Sequence, residues 1–394
     1  MRSSPSTRHP FLGPLRLTWG VLSLLLALLA VLPAPTYLLW QAAVAVTEFG
    51  HWLALLALAP LLPGWRRSRS GRAGAALGLG AAALAISPLA RALPVAAQLP
   101  VQLSAAFGVA RPLSIANAPA RPAPLAALDL LRGVGSSPVA SQRLVYSTVE
   151  GQDLALDYYP PPLSEIPAPL LIVIHGGSWQ GGDSTQLTPL NSYLAARGYA
   201  VAAINYRLAP RWVFPAAYDD LRAAIGFLKG RAAELRLDPA RIALLGRSAG
   251  GQLALLAAYA SGDPAIKGVV SFYAPADMPY GYDNPSSPLV LDSRGTLEAY
   301  LGGTPASAPA AYRAASPIEF VGPSSPPTLL IHGPRDELVR YAQSERLAAR
   351  LREVARPHLL LNLPWATHGC DFNFSGPSGQ ISTYAIERFL AVVM

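Results

Sequence analysis

A mostly parallel, doubly wound α/β domain preceded by transmembrane helices is the fold class this sequence predicts. Three observations carry that expectation. Short apolar runs alternate with helical patterns from about residue 140 onward. Apolar segments long enough to cross a bilayer fill the first third. The surplus of positive charge is confined to that same third.

The alternation comes first. Apolar runs at 170–174, 200–204, 242–245, 268–272, 328–331 and 358–363 lack the in-out periodicity of a half-exposed strand. They therefore read as strands covered on both faces. Helical patterns at 187–197, 217–235, 250–259, 341–354 and 381–393 separate them, and this βαβ rhythm implies a parallel sheet. Two β-like stretches, 143–149 and 153–159, surround the Glu150–Gly151 turn and predict a hairpin at a sheet edge. The Pro- and Tyr-rich stretch 275–315 breaks the rhythm, as a lid or substrate-shaping insertion would.

Charge and hydropathy divide the 394 residues. Residues 1–122 hold ten Arg, no Lys and one acidic residue, Glu48, whereas residues 123–394 balance 21 Lys plus Arg against 22 Asp plus Glu. The net +8 thus belongs wholly to the N-terminal third. Those arginines flank apolar runs and are not interleaved with polar and aromatic residues, which excludes a nucleic-acid surface. The runs are 17–32, 36–62 and the Ala/Gly-rich 73–95, which has Pro88 and Arg91 near its end. Since about 20 apolar residues cross the hydrocarbon core, two to three spans are expected. Arg2, Arg8 and Arg16 precede the first span, and Arg66, Arg67, Arg69 and Arg72 separate the second from the third. The positive-inside rule then places both clusters in the cytoplasm. The expected organisation is a multi-pass anchor in the cell membrane over 1–96, a Pro/Ala-rich linker over 97–139, and an extracytoplasmic catalytic domain over 140–394. A cleaved signal peptide over 1–34 is the alternative for the first run. Glu48 and His51 fall one helical turn apart within the second run, where they are expected to pair with each other or to face a neighbouring helix. One cysteine, Cys370, excludes an intrachain disulfide and cysteine-built metal sites. The six histidines show no metal-ligand spacing, so no metal site is expected.

Chemistry concentrates where strands end. Gly246-Arg247-Ser248-Ala249-Gly250 follows an apolar strand and opens a helix. A serine at such a junction sits on a sharp turn, with the next backbone N–H and the helix N-terminus aimed at a developing oxyanion. His175-Gly176-Gly177-Ser178-Trp179 follows the strand at 170–174, and there glycines let backbone N–H groups turn toward a substrate carbonyl. Gly176, Gly177 and Ala249 are therefore the candidate oxyanion hole. A serine hydroxyl is a weak nucleophile and needs a base oriented by a carboxylate. Asp336, after the strand at 328–331, is the candidate acid, with Glu337 as its alternative. His368, in the loop after the last strand, is the candidate base. Ser248, Asp336 and His368 follow one another in the order a serine elbow on a parallel sheet requires.

The motifs HGGSW (175–179), NYRLAP (205–210), FPAAYDD (214–220), GRSAGG (246–251) and HGPRDELV (332–339) resemble the hormone-sensitive-lipase-like branch of the α/β-hydrolase esterases. The resemblance covers residues 143–394 and leaves out the N-terminal spans. It implies cofactor-free hydrolysis of short- to medium-chain acyl or acetyl esters, small-molecule, lipid or carbohydrate, through an acyl-enzyme. It also implies that 205–210 and 214–220 support the site structurally. Arg247 stands where that family usually has an acid, and Ser178 where it has a third glycine. HGGxW followed by Gly182-Asp183 is closer to kynurenine formamidase-like and carbohydrate-ester-cleaving relatives. Those departures bear on acyl-chain preference. The same triad also serves acyl transfer and amide or peptide cleavage, and a silent receptor on this fold would be expected to lose a triad residue.

Overall fold

The computed structural model describes residues 12–109 and 120–394. Arg2, Arg8 and part of the expected linker, 110–119, lie outside the described residues. Four helices come first: α1 (Leu12–Ala27), α2 (Tyr37–Glu48), α3 (Gly50–Ala57) and α4 (Arg69–Phe107), followed by the short α5 (Ala127–Arg132). The α/β part begins with β1 (Gln142–Val149), β2 (Gln152–Tyr159), β3 (Ala168–Ile174), α6 (Thr188–Ala195) and β4 (Ala200–Ile204). It continues through α7 (Ala216–Gly230), α8 (Ala232–Leu235), β5 (Leu237–Arg247), α9 (Ala249–Ala260) and β6 (Ile266–Phe272). Helices α10 (Met278–Asp283), α11 (Ser293–Leu301) and α12 (Pro309–Ala314) occupy the stretch that breaks rhythm in the sequence. The chain closes with β7 (Thr328–His332), α13 (Ala342–Glu353), β8 (His358–Asn362) and α14 (Pro377–Val393).

The strands form one sheet in the order β1-β2-β4-β3-β5-β6-β7-β8. β2 runs antiparallel to both neighbours and every later pair is parallel. The edge hairpin turns at Glu150 and Gly151, both at positive φ (50° and 75°), the combination that matches strand twist in a two-residue turn. Strands β3, β4 and β7 are buried from end to end, as runs without alternation require. α7, α9 and α13 cover one face through Leu221, Leu253 and Leu347. α6, α14 and the second half of α4 cover the other through Leu194, Phe389 and Leu99.

The last point corrects the expected boundary at residue 96. α4 runs unbroken across it, although Pro88, Pro94 and Pro100 each remove an intrahelical donor. Ala92, Ala96, Leu99 and Leu103 bury themselves against the sheet side, and Phe107 meets Phe389 edge-on at 4.8 Å. That burial offsets the lost hydrogen bonds, so a stretch that reads as linker folds as a helix of the α/β core.

The N-terminal helices pack inside out. Ideal Cβ atoms built on Gly20, Gly50, Gly74 and Gly78 would lie 2.0–2.6 Å from backbone oxygens of neighbouring helices, so only glycine permits these crossings. Large apolar side chains such as Leu22, Leu25, Leu55 and Leu79 point outward and are more than half exposed. Small residues at contacts with leucines outside is the pattern of helices that associate in lipid. The apolar helix from Leu12 to Ala30 and α4 are each long and apolar enough to cross a membrane. The run 36–62 is not one straight span, because it breaks at Phe49 and the two halves meet at 89°. α3 packs beside α1 and α4, whereas α2 turns away toward the α/β domain. Glu48 and His51, expected to pair or to face another helix of the bundle, are separated by that break. Glu48 hydrogen-bonds Ser378, and His51 Nε2 bonds the Leu130 carbonyl oxygen at 2.9 Å.

Gly74→Val forces a Cβ into the Arg16 carbonyl 2.4 Å away and is expected to cost about 1–3 kcal/mol, lowering the melting temperature. Gly226→Ala in α7, where nothing stands within 4 Å, is the control and is expected to leave it unchanged or higher.

Candidate active site

Ser248 stands between β5 and α9 at φ 51°, ψ −119°, a conformation L-residues rarely adopt. The neighbours impose it. A Cβ on Gly246 would lie 2.1 Å from the Gly250 oxygen, and one on Gly250 would lie 2.2 Å from the His175 oxygen. Only glycines let the strand turn this tightly into the helix, and the turn lifts the serine above the sheet. The Ser248 N–H is anchored to the Phe272 carbonyl at 2.9 Å.

The structure brings Ser248, His368 and Asp336 into one hydrogen-bonded line. Ser248 Oγ lies 3.0 Å from His368 Nε2, and His368 Nδ1 lies 2.7 Å from Asp336 Oδ2. Asp336 is buried and its other oxygen accepts the N–H groups of Leu338 and Val339, both at 2.8 Å. Burial pushes its carboxyl up, but the charge of His368 and the bonds from His332 and His368 prevail and hold it well below the usual carboxylate range. Glu337, the alternative acid, is turned away, with Oε1 accepting the Ala34 N–H at 2.9 Å. Such a relay can draw the proton from a serine hydroxyl and stabilise the resulting imidazolium.

His332 has a place that position alone did not reveal. Its Nε2 lies 3.1 Å from Asp336 Oδ2 and 3.2 Å from the Val339 oxygen. Both partners are acceptors, so this nitrogen carries the proton and Nδ1 accepts from Ser344 Oγ at 2.8 Å. The acid is therefore held by two imidazoles and two amides.

Arg247, the departure in the serine motif, also acquires a reason. Its guanidinium pairs with Asp371, three residues beyond His368, and both side chains are buried. Tyr273 Oη donates to the other Asp371 oxygen. The turn that carries Ser248 and the loop that carries His368 are thereby tied through a charge pair 124 residues apart in sequence.

The glycine loop differs in detail from expectation. Gly177 sits at φ 123°, where a Cβ would meet the Gly181 oxygen at 2.1 Å. The Gly176 N–H, expected to face the substrate, instead donates to Gln186 Oε1 at 2.8 Å. Gly176 supplies room, since its own Cβ would lie 3.0 Å from the Arg247 oxygen. Ser178, at φ 55°, lines the pocket beside Trp179, Ser248 and His368. The expectation treated it only as a missing glycine. Ala249 begins α9 directly after the serine. The loop is braced from behind. His175 stacks on Tyr206 at 4.2 Å, the Tyr206 hydroxyl donates to the His175 carbonyl, and burial pushes the His175 imidazole pKa down. Arg207 and Asp220 form a paired clamp between the segments 205–210 and 214–220. Over the pocket, Trp179 stacks on Tyr300 of α11 at 4.1 Å, and Gln252 Oε1 accepts from both. Leu291, Leu297, Leu338 and Val339 give the pocket an apolar wall.

Fold and site together define an α/β-hydrolase architecture with a hydrogen-bonded Ser248–His368–Asp336 line at the C-terminal edge of its sheet. The BD-FAE family model matches residues 156–351. The chain is 33% identical over 240 residues to a probable carboxylic ester hydrolase, LipM, of Mycobacterium tuberculosis, covering 57% of this chain and 54% of that protein. It is 35% identical over 132 residues to an ethyl acetate hydrolase of Pseudomonas putida, covering 33% and 42%. The chain thus spans about half the length of the curated relatives it matches. Among solved structures, a bacterial heroin esterase superposes with TM-score 0.57 at 24% identity, over 65% of this chain and 85% of that one. Esterase 2 of Thermogutta terrifontis does so with TM-score 0.53 at 24% identity, over 63% and 89%.

Two measurements check this electrostatic frame. Arg247→Met strands a buried carboxylate and is expected to cost about 3–5 kcal/mol in denaturant unfolding, most of it recovered in Arg247→Met/Asp371→Leu. For Asp336, whose folded pKa is depressed, the contribution to stability is complete above the unfolded carboxylate pKa and is lost as pH falls toward the folded one. The stability difference between wild type and Asp336→Asn is therefore expected to shrink progressively below about pH 4.

Proposed function

We propose that this chain is a membrane-anchored serine hydrolase that cleaves carboxylic esters of short to medium acyl chain through an acyl-enzyme, with Ser248 as nucleophile, His368 as base and Asp336 as acid. The observation that carries the reading is the single imidazole bridging Ser248 Oγ at 3.0 Å and a buried carboxylate at 2.7 Å. Esterases among the curated relatives support the substrate class.

His368 takes the Ser248 proton as Oγ attacks the ester carbonyl, and Asp336 fixes the tautomer and offsets the imidazolium charge. The N–H groups of Gly177, Ser178 and Ala249 hold the oxyanion, and Gly176 is left out because Gln186 engages it. His368 then protonates the departing alcohol, and water repeats the sequence to release the acid. The outward-facing leucines and glycine-mediated crossings of α1, α3 and α4 support anchoring. With the Arg66–Arg72 loop cytoplasmic, the α/β domain lies on the opposite side of the membrane.

Ser248→Ala is expected to lower kcat on p-nitrophenyl acetate by at least about a thousandfold with folding intact, and to abolish labelling by a fluorophosphonate. Turnover and labelling that survive the substitution would refute the reading.

A further inference from the structure

We propose that residues 29–48 of the N-terminal segment are a positioning clamp on the two loops that carry Asp336 and His368, so that the relay is held in register by the anchor itself. The inference rests on the serine-hydrolase reading above and adds to it residues outside the α/β domain.

On the acid side, both sequence neighbours of Asp336 are bound to the end of the first apolar helix. Arg335 donates to the carbonyl oxygens of Leu29 (3.0 Å), Ala30 (2.7 Å) and Leu32 (2.7 Å), and Glu337 accepts the Ala34 N–H. These are the carbonyls a helix leaves without internal partners at its C-terminus, where a cation is also favoured by the helix dipole. Arg91 of α4 adds a second cation on the Ala30 oxygen (2.8 Å) and reaches the Pro364 carbonyl (3.2 Å) at the start of the base loop.

On the base side, Trp40 Nε1 donates to the backbone oxygen of His368 itself at 3.2 Å. Glu48, fully buried, places Oε1 2.6 Å from Ser378 Oγ and Oε2 3.1 Å from the Ser378 N–H in the first turn of α14. Ser378 Oγ in turn accepts from Trp365 Nε1 at 2.9 Å, and Asn373 Nδ2 donates to the Glu48 carbonyl at 3.1 Å. The loop from 364 to 378 is thus fixed at its start, at the base and at its end by side chains from α2 and α4. One carboxylate from the anchor caps a helix of the hydrolase, and one guanidinium of the hydrolase caps a helix of the anchor. A misplacement of about 1 Å between reacting groups typically costs on the order of a hundredfold in rate, so loops of this kind gain from external bracing.

The test uses the full chain in detergent, with p-nitrophenyl acetate and a fluorophosphonate as probes. Trp40→Phe removes the donor to His368 together with the ring edge beside Gly369, and Glu48→Gln keeps shape while replacing one of the two oxygens that accept from Ser378. If the clamp positions the relay, kcat and the labelling rate fall together by about tenfold or more, with KM within about twofold. Arg335→Lys should then recover part of what Arg335→Ala loses. Should Trp40→Phe fold poorly, the labelling rate of its folded fraction gives the same reading. Wild-type kcat and labelling rate in both Trp40→Phe and Glu48→Gln would overturn the clamp, as would effects confined to KM or to melting temperature. A wild-type protein that neither turns over the ester nor labels would overturn the hydrolase reading, and the clamp with it.

Discussion

At the turn from β5 into α9, the backbone of Gly250 passes so close to the carbonyls of Ile174 and His175 that no side chain fits between them. The contact fixes the helix against the neighbouring strand end and forces Ser248 into positive φ. Every other part of the site is arranged around the hydroxyl that this crowding exposes. The glycine loop after β3 lies alongside because β3 and β5 are parallel neighbours, and the acid and base loops follow β7 and β8 on the same edge. A parallel sheet with crossovers brings all these strand ends together, which is why residues 248, 336 and 368 meet at all.

Charge is handled in the interior by pairing and not by exclusion. Arg247 and Asp371 are both buried, each supplying the other's countercharge, and Tyr273 donates to the second Asp371 oxygen. Asp336 is satisfied by four donors, two of them imidazoles. The network couples the loops that carry Ser248, His368 and Asp336 through residues that do not line the pocket.

The N-terminal third belongs to the same construction. α4 begins as a helix long and apolar enough to cross a membrane, meets α1 through glycines, and ends as a layer of the α/β core. Where the first apolar helix ends, its unsatisfied carbonyls are taken by Arg335 and Arg91, and where α14 begins, Glu48 takes the N–H and hydroxyl of Ser378. Polar groups at helix ends need partners, and here the N-terminal helices and the α/β domain supply them to each other.

The sequence alone determined the strand–helix rhythm, the serine elbow, the candidate relay and the apolar helices, because each is written in local spacing. Glycines around a turn, unbroken apolar runs and the residues at strand ends all act over a few positions. Folding decided the rest. Nothing near Arg247 announces Asp371, nothing near Glu48 announces Ser378, and His332 reads as a strand residue until the Asp336 loop curls back on it. Residues 97–107 of α4 read as linker because the cost of Pro100 is local, whereas the burial that offsets it comes from α14, hundreds of residues away. Hydrogen bonds and buried charges act at about 3 Å in space, and only the folded chain sets which distant residues come that close.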